Sequence, residues 1–349
     1  MATRPDLRQI LGLRYPIVQA PMAGVQRSAL AAAVSNAGGL GSLPAAMLSP
    51  DDLRTELATL TAQTTRPLNV NFFCHTPPSP DDAAEAAWRD VLAPYYRELG
   101  IDPTGIAAGP GRAPFSAEAA DLLDEIKPAV VSFHFGLPPS ALLARARTWG
   151  SKILSSATTV DEARWLEAQG VDAIIAQGLE AGGHRGNFLT DDLTTQLGTF
   201  ALVPQIVQAV SVPVIAAGGI ADAQGVAAAM ALGAAGVQVG TAYLLCLEST
   251  TSSVHRAALR DRRARHTALT NLFTGRPARG IVNRIMQELG PIGADVPAFP
   301  LATAAMAPLR AKAEAVGSGD FSPLWCGQNA GGCQEIGAAD LTRSLAALL

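Results

Sequence analysis

The sequence predicts an α/β fold built on a parallel sheet, because short apolar runs alternate eight times with alanine-rich helical stretches. Hydrophobicity within the runs is continuous rather than alternating, which is typical of strands buried on both faces. Alternation over eight units favours a (β/α)8 TIM barrel; a doubly wound open sheet is the alternative, because strand order cannot be read from sequence. The predicted strands are residues 16–21, 39–44, 68–73, 129–134, 152–157, 171–177, 212–219 and 236–241.

The connecting helices carry their own start and stop signals. Thr159 and Glu162 have the spacing of a capping box, and Gly170 supplies a C-terminal stop. Asp222 is a candidate N-cap in the same way, for a helix that ends before Gly233. A helix is therefore expected after the fifth and the seventh strands, as the barrel requires.

Two stretches interrupt the alternation. Residues 74–128 form a long connection that contains several prolines and one clear helix, and residues 248–307 include a basic helical segment. We predict that residues 1–247 form the barrel. We also predict that residues 248–307 form a small helical domain that packs over one mouth of the barrel.

Composition excludes several classes of function. The chain has 349 residues and a formal net charge of -4, whereas a nucleic-acid-binding surface needs a basic stripe. No apolar run reaches the roughly 18 residues that indicate a membrane span, and the first residues lack the apolar region of a secretory signal. We therefore expect a cytoplasmic protein. The four cysteines form no CxxC pair and have no nearby ligands to complete a tetrahedral set, so we predict reduced thiols and no metal site.

Polar residues and glycines cluster where the predicted strands end, which is where barrels build their active sites. Glycines close the last two strands at Gly218–Gly219 and Gly240, and free backbone N–H groups there would bind phosphate. A tight strand-to-helix turn is the alternative explanation for these glycines. The other strand-end residues are Gln19, Met22, Ser42, Asn71, His134, Ser155, Ser156, Gln177, His184 and Thr241.

Three of these side chains suit a flavin ring. Asn71 and Gln177 are amides, which both donate and accept hydrogen bonds, as the pyrimidine edge of a flavin does. Met22 would supply an apolar floor for a ring system. Ordinary loop hydrogen bonding and core filling are the alternative roles.

His184 is the best candidate for the chemistry. Its neighbours Gly182, Gly183 and Gly186 leave little bulk around it, so a ligand can approach an imidazole that titrates near neutral pH. We predict a general base or an electrostatic partner of an anionic substrate, with His134 as the second candidate. The sequence contains no Ser-His-Asp arrangement, P-loop or HExxH motif.

The motifs around these residues resemble those of the nitronate monooxygenases, formerly called 2-nitropropane dioxygenases, and the chain is most similar to their class I. The resemblance covers residues 1 to about 245 and implies an FMN-dependent TIM barrel with a small helical substrate domain. Residues 324–331 are similar to the closing segment of the family, which implies that residues 308–349 return to the barrel. The motifs are APMAGV, NVNFF, SFHFG, AQGLEAGGHRG, AAGGI and QVGTAYL.

The resemblance also implies roles for single residues. His184 would face the flavin and the substrate and act as base toward a neutral nitroalkane, and His134 would lie near the flavin. The implied reaction is oxidation of an alkyl nitronate by O2 to an aldehyde or ketone plus nitrite, through a flavin semiquinone. The implied FMN-binding residues are Met22, Asn71, Gln177, Gly182, Gly218, Gly219, Gln238, Val239, Gly240 and Thr241.

One region departs from the class I pattern. Members of that class have tyrosines and a lysine along the substrate pocket after the helical domain, whereas this chain has Phe299 and no tyrosine there, with Lys312 as the nearest lysine. Two rival functions stay open: an NAD(P)H-dependent flavin reductase of quinones or enoyl thioesters, and a non-redox phosphate-binding isomerase or lyase. A homodimer is also left open.

Overall fold

The computed structural model describes residues 6–106 and 112–349, and its main sheet is the predicted barrel. Eight parallel strands lie in the order β1-β9-β8-β6-β5-β4-β3-β2. A parallel bridge between Val18 and Leu40 joins the two ends of this order, so the barrel is closed and the open sheet is wrong. In chain order the strands are β1 Ile17–Gln19, β2 Gly41–Pro44, β3 Leu68–Phe73, β4 Val130–His134, β5 Lys152–Ala157, β6 Ala173–Gln177, β7 Gly183–His184, β8 Val214–Ala217, β9 Gly236–Val239, β10 Thr267–Thr270 and β11 Ala278–Ile281.

Helices connect the barrel strands and begin at the predicted caps. Thr159 caps α7, accepting a hydrogen bond from Glu162 N at 3.2 Å, and Asp222 caps α9, accepting from Gly225 N at 2.7 Å. The α-helices are α1 Leu7–Leu11, α2 Ser28–Ala37, α3 Pro50–Gln63, α4 Asp82–Leu99, α5 Ala117–Ile126, α6 Ser140–Thr148, α7 Val160–Ala168, α8 Thr199–Ala209, α9 Ala223–Ala231, α10 Ser253–Arg260, α11 Arg284–Leu289, α12 Ala302–Glu314 and α13 Ala338–Leu345.

Strand residues are buried on both faces of the sheet, as their continuous hydrophobicity predicts. Ile174 belongs to the large cluster that includes buried residues of the surrounding helices, while its neighbour Ile175 belongs to a second cluster of strand residues together with Val18 and Leu154. Leu7 of α1 joins that second cluster. Because successive side chains of a strand point to opposite faces, the two clusters lie on opposite sides of the barrel wall.

The segment after β9 contains helices, as predicted, and also an antiparallel hairpin that the sequence did not reveal. Strands β10 and β11 form this hairpin, and β7 extends it to a three-stranded sheet in the order β10-β11-β7. Within this sheet, Ala278 of β11 pairs with His184. The loop of residues 178–186, which follows β6 and carries His184, is called the histidine loop. Its backbone is therefore tied to the small domain.

Other elements complete the small domain from distant parts of the chain. Helix α4 of the long connection packs against α12, and Tyr96 Oη donates to Ala305 O at 2.7 Å. Helix α12 runs across residue 307, the predicted end of the small domain. The last helix, α13, packs on α2 of the barrel. Within the described ranges, the structure has no helix that is both long and apolar enough to cross a bilayer. The division into three domains stays a prediction, and its first range includes residues 1–5 and 107–111, which lie outside the described residues.

Candidate active site

A cavity of about 1330 Å³, its open mouth included, lies at the carboxyl ends of the barrel strands. It is lined by all but one of the residues predicted to be catalytic or cofactor-binding, namely His134, His184, Met22, Asn71, Gln177, Gly182, Gly218, Gly219, Gln238, Gly240 and Thr241. The exception is Val239, whose side chain is buried in the core cluster between strands and helices. Residues from every part of the barrel sequence therefore meet in one place.

The imidazole of His184 is enclosed by aromatic rings. Its ring centroid lies 5.3 Å from that of Phe299 and 5.5 Å from that of Trp325. Burial, and after it the positive charge of Arg112, holds the pKa of His184 well below its ordinary value. The ring is therefore neutral near pH 7, so it can accept a proton but brings no positive charge to an anion.

Hydrogen bonds also orient that imidazole. His184 Nε2 lies 2.9 Å from Thr274 Oγ1, and the Thr274 hydroxyl donates to Arg276 O at 3.4 Å. Because the hydroxyl donates its hydrogen bond to that carbonyl, its oxygen accepts a hydrogen bond from His184 Nε2–H. A neutral imidazole carries one N–H, so Nδ1 is the unprotonated nitrogen, and it has no hydrogen bond to any residue in the described ranges.

His134 supports the loop that carries His184. Its Nε2 lies 3.2 Å from His184 O and its Nδ1 lies 2.9 Å from Ser156 Oγ. Burial lowers the pKa of His134 to about 4, so this ring is also neutral near pH 7. Because a carbonyl only accepts, Nε2–H donates to His184 O and Nδ1 accepts from the serine hydroxyl. Both ring nitrogens are thus engaged within the protein.

Gln177 holds the same loop from the other side. Its amide donates to His184 O at 3.0 Å and accepts from Gly186 N at 2.7 Å. Sequence reasoning missed the contribution of Arg185, which is fully buried and donates to the carbonyls of Gln177 and Gly178 at 2.8 and 2.7 Å. A buried arginine with carbonyl partners has no local signature in sequence, since its partners are set by the fold.

Glycines let the backbone line the cavity closely. Gly218 and Gly219 have φ values of 125° and 72°, in the left-handed region that favours glycine. A Cβ on Gly182 would lie 2.5 Å from Gly327 N, so only glycine fits between the histidine loop and the C-terminal segment. The N–H groups of Gly219 and Ile220 donate no hydrogen bond within the described ranges. The seventh strand of the barrel, β8, therefore ends in a small-residue turn with open donors.

The segment of residues 324–331 reaches the cavity. Trp325, Gly327 and Asn329 line it. His255 of α10 fixes the position of Trp325, since its Nε2 lies 3.1 Å from Trp325 O. Burial lowers the pKa of His255 to about 4, so it donates this bond as a neutral ring.

Two lining residues beside His184 were not predicted from sequence. Phe73 at the end of β3 belongs to the aromatic group around the imidazole, and its ring centroid lies 6.3 Å from that of His184. Arg112 also lines the cavity, although it lies in the long connection between α4 and α5. Lys312, in contrast, is exposed on α12 and is not among the lining residues. The cation of the site thus comes from a segment with no regular pattern.

Comparison with known proteins identifies the group to which this architecture belongs. The model of the nitronate monooxygenase family matches residues 4–347. Nitronate monooxygenases from Pseudomonas aeruginosa and Paraburkholderia phytofirmans are each 43% identical to the chain, over 97% of it and over 97% and 93% of their own lengths.

A solved structure of a nitroalkane oxidase from Streptomyces ansochromogenes has the same fold. It superimposes with a TM-score of 0.88 at 40% identity, covering 99% of this chain and 98% of the other. The match extends over both the barrel and the small domain, and so it includes every element that contributes to the cavity. Together with the family model and the curated relatives, it shows that the chain belongs to the nitronate monooxygenase family.

Proposed function

We propose that this protein is an FMN-dependent nitronate monooxygenase that oxidises alkyl nitronates with O2 to a carbonyl compound and nitrite. Family membership supports the reaction class. One observation carries the assignment to this cavity. His184, at the carboxyl ends of the strands, is a neutral imidazole that aromatic rings enclose, and its Nδ1 has no hydrogen bond within the described part of the chain.

The residues that line the cavity fit FMN. Gln238 Oε1 is buried without a hydrogen-bond partner among the described residues, so it is an acceptor that a bound donor would satisfy. The open N–H groups of Gly219 and Ile220 suit a phosphate. The residues proposed to hold the cofactor are Met22, Asn71, Gln177, Gly182, Gly218, Gly219, Gln238, Val239, Gly240 and Thr241; Val239 would contribute its backbone.

When bound, FMN supplies the redox chemistry that links the nitronate to O2. His184 Nδ1 removes the proton from a neutral nitroalkane, whereas a nitronate is already the carbanion equivalent and needs no base. His134 and Gln177 hold the backbone of His184, so that its ring keeps one orientation. Phe299 and Trp325 exclude water from the imidazole, which strengthens electrostatic interactions at this position.

Flavin content and nitrite release test the proposal. The purified protein is expected to be yellow, to release FMN on denaturation, and to produce nitrite from propane-2-nitronate in air. Mixing without oxygen separates the rival reductase: NADH or NADPH should leave the visible spectrum unchanged while the nitronate alters it. Rapid bleaching of the flavin by NADH, with no spectral response to the nitronate, would overturn the proposal. A colourless protein with isomerase activity would overturn the assignment of FMN as the cofactor.

A further inference from the structure

We propose that Arg112 is the specificity-determining residue of this cavity and binds the planar two-oxygen anion of the substrate through the N–H donors of its guanidinium. The inference rests on the proposed function for the identity of the substrate. Its structural basis is independent of that function, because it concerns one cation and the groups around it.

Arg112 is the one arginine or lysine among the described residues that line the cavity. The one lining carboxylate, Glu180, accepts hydrogen bonds from Thr199 N and Thr199 Oγ1. No carboxylate in the described ranges lies within ion-pair distance of Arg112. The cavity therefore contains a cation without a counter-ion, which is the electrostatic arrangement that an anionic ligand completes.

Two contacts hold the guanidinium in place. Its Nη1 donates to Thr303 Oγ1 at 3.0 Å, and its Cζ lies 5.5 Å from the ring centroid of Phe299. A guanidinium has five N–H donors in a planar fork, and among the described residues only Thr303 accepts a hydrogen bond from that of Arg112. Two parallel N–H donors match the two oxygens of a nitronate or a carboxylate. The anchored side keeps the fork in one orientation, so little side-chain entropy is lost when an anion binds.

Arg112 lies near His184, the proposed base. Phe299 contacts both residues, with its ring centroid 5.3 Å from that of His184. The charge of Arg112 is also the largest charge contribution that lowers the pKa of His184. A nitronate bound to Arg112 therefore lies beside the imidazole that would generate it from a nitroalkane. Other nearby arginines do not compete for this role, since Arg276 donates to the carbonyls of Arg185 and Asn187 and does not line the cavity.

The test compares Arg112→Met and Arg112→Lys with Arg54→Met, which removes an exposed arginine that pairs with Asp51 on α3. Isobutyrate, a redox-inert carboxylate, and its neutral amide are titrated into each holoenzyme by calorimetry. Losing a charged hydrogen-bonding partner predicts a roughly 10- to 100-fold weaker Kd for isobutyrate in Arg112→Met, partial recovery in Arg112→Lys, and no change for the amide. Arg54→Met should bind isobutyrate as the unaltered protein does. Equal isobutyrate affinities in Arg112→Met and the unaltered protein would overturn the proposal.

Kinetics on two nitronates identify which anion Arg112 binds. If Arg112 holds the nitronate oxygens, the KM of both propane-2-nitronate and propionate 3-nitronate rises in Arg112→Met; if it holds a remote carboxylate, only the second rises. Loss of FMN from Arg112→Met would instead assign the arginine to the cofactor and overturn the proposal. Should the unaltered protein release no nitrite, the proposed function falls, while the isobutyrate titration still decides the role of Arg112.

Discussion

The two sides of the cavity are built in different ways. The strand side consists of residues at the ends of barrel strands, such as Asn71, Gly219, Gln238 and Gly240, and much of it is backbone and glycine. The cover consists of His184 on β7, Arg112 and residues 324–331. Phe299 packs against both His184 and Arg112. The strand side depends on local backbone conformation, whereas the cover depends on contacts between segments that are far apart in sequence. A cofactor common to a family would favour the side that is built from backbone, and a substrate that varies would favour the side that is built from distant side chains.

The largest effect is expected from the cover, at the imidazole. His184→Asn removes the unprotonated Nδ1 but keeps a polar side chain, so turnover of neutral 2-nitropropane should fall roughly 100-fold or more. Oxidation of propane-2-nitronate should change much less, because that substrate needs no base. Steady-state rates of nitrite release on both substrates measure the difference. Equal losses on the two would show that His184 does not act as the base.

The next largest effect is expected at the seam between the two sides. Gly182→Ala places a Cβ about 2.5 Å from Gly327 N, so either the histidine loop or the C-terminal segment must move. Such overpacking costs roughly 1–3 kcal/mol, and we expect weaker retention of FMN together with a lower Tm. Gly105→Ala is the matched control, because no described residue has an atom within 4 Å of a Cβ at that position. A Gly182→Ala protein with normal FMN content would show that the two sides are not coupled at this glycine.

What the sequence could predict follows the same division. All eight barrel strands were predicted from local runs of apolar residues, and the strand-end residues predicted with them line the cavity at Met22, Asn71, Gln177, Gly218, Gly219, Gly240 and Thr241. Gly182, Gln238 and Val239 were implied only by the family resemblance. The hairpin of β10 and β11 was missed because both strands lie in the range predicted to be a small helical domain, and the pairing with β7 that completes the sheet joins segments far apart in sequence. Arg112 was missed because a lone arginine in an irregular connection looks like a surface residue until the fold encloses it.

The link between the sides is His134, which belongs to β4 and holds the backbone of His184. Its folded pKa of about 4 lies below the ordinary value of 6.5, so the unfolded chain binds the proton first as pH falls. The contribution to stability is complete well above pH 6.5 and is lost progressively down to about pH 4, by about 3 kcal/mol. Denaturant titrations at several pH values should show a shallower loss in His134→Gln. The same substitution at exposed His266 is the control, and an unchanged slope in His134→Gln would contradict the prediction.

The smallest effect is expected on the strand side and has two opposite signs. Gln238 Oε1 is a buried acceptor without a partner in the described part of the chain, which costs free energy in the cofactor-free protein. Gln238→Leu removes that unsatisfied oxygen, so the cofactor-free protein should be as stable as before or more stable. If FMN supplies the missing donor, the same substitution weakens FMN binding roughly tenfold, in line with about 1.4 kcal/mol for one hydrogen bond. Fluorescence titration of FMN and thermal unfolding of the cofactor-free protein measure the two quantities separately. Lower stability without any loss of FMN affinity would mean that Gln238 serves the barrel and not the cofactor, and the strand side would then bind FMN by its backbone alone.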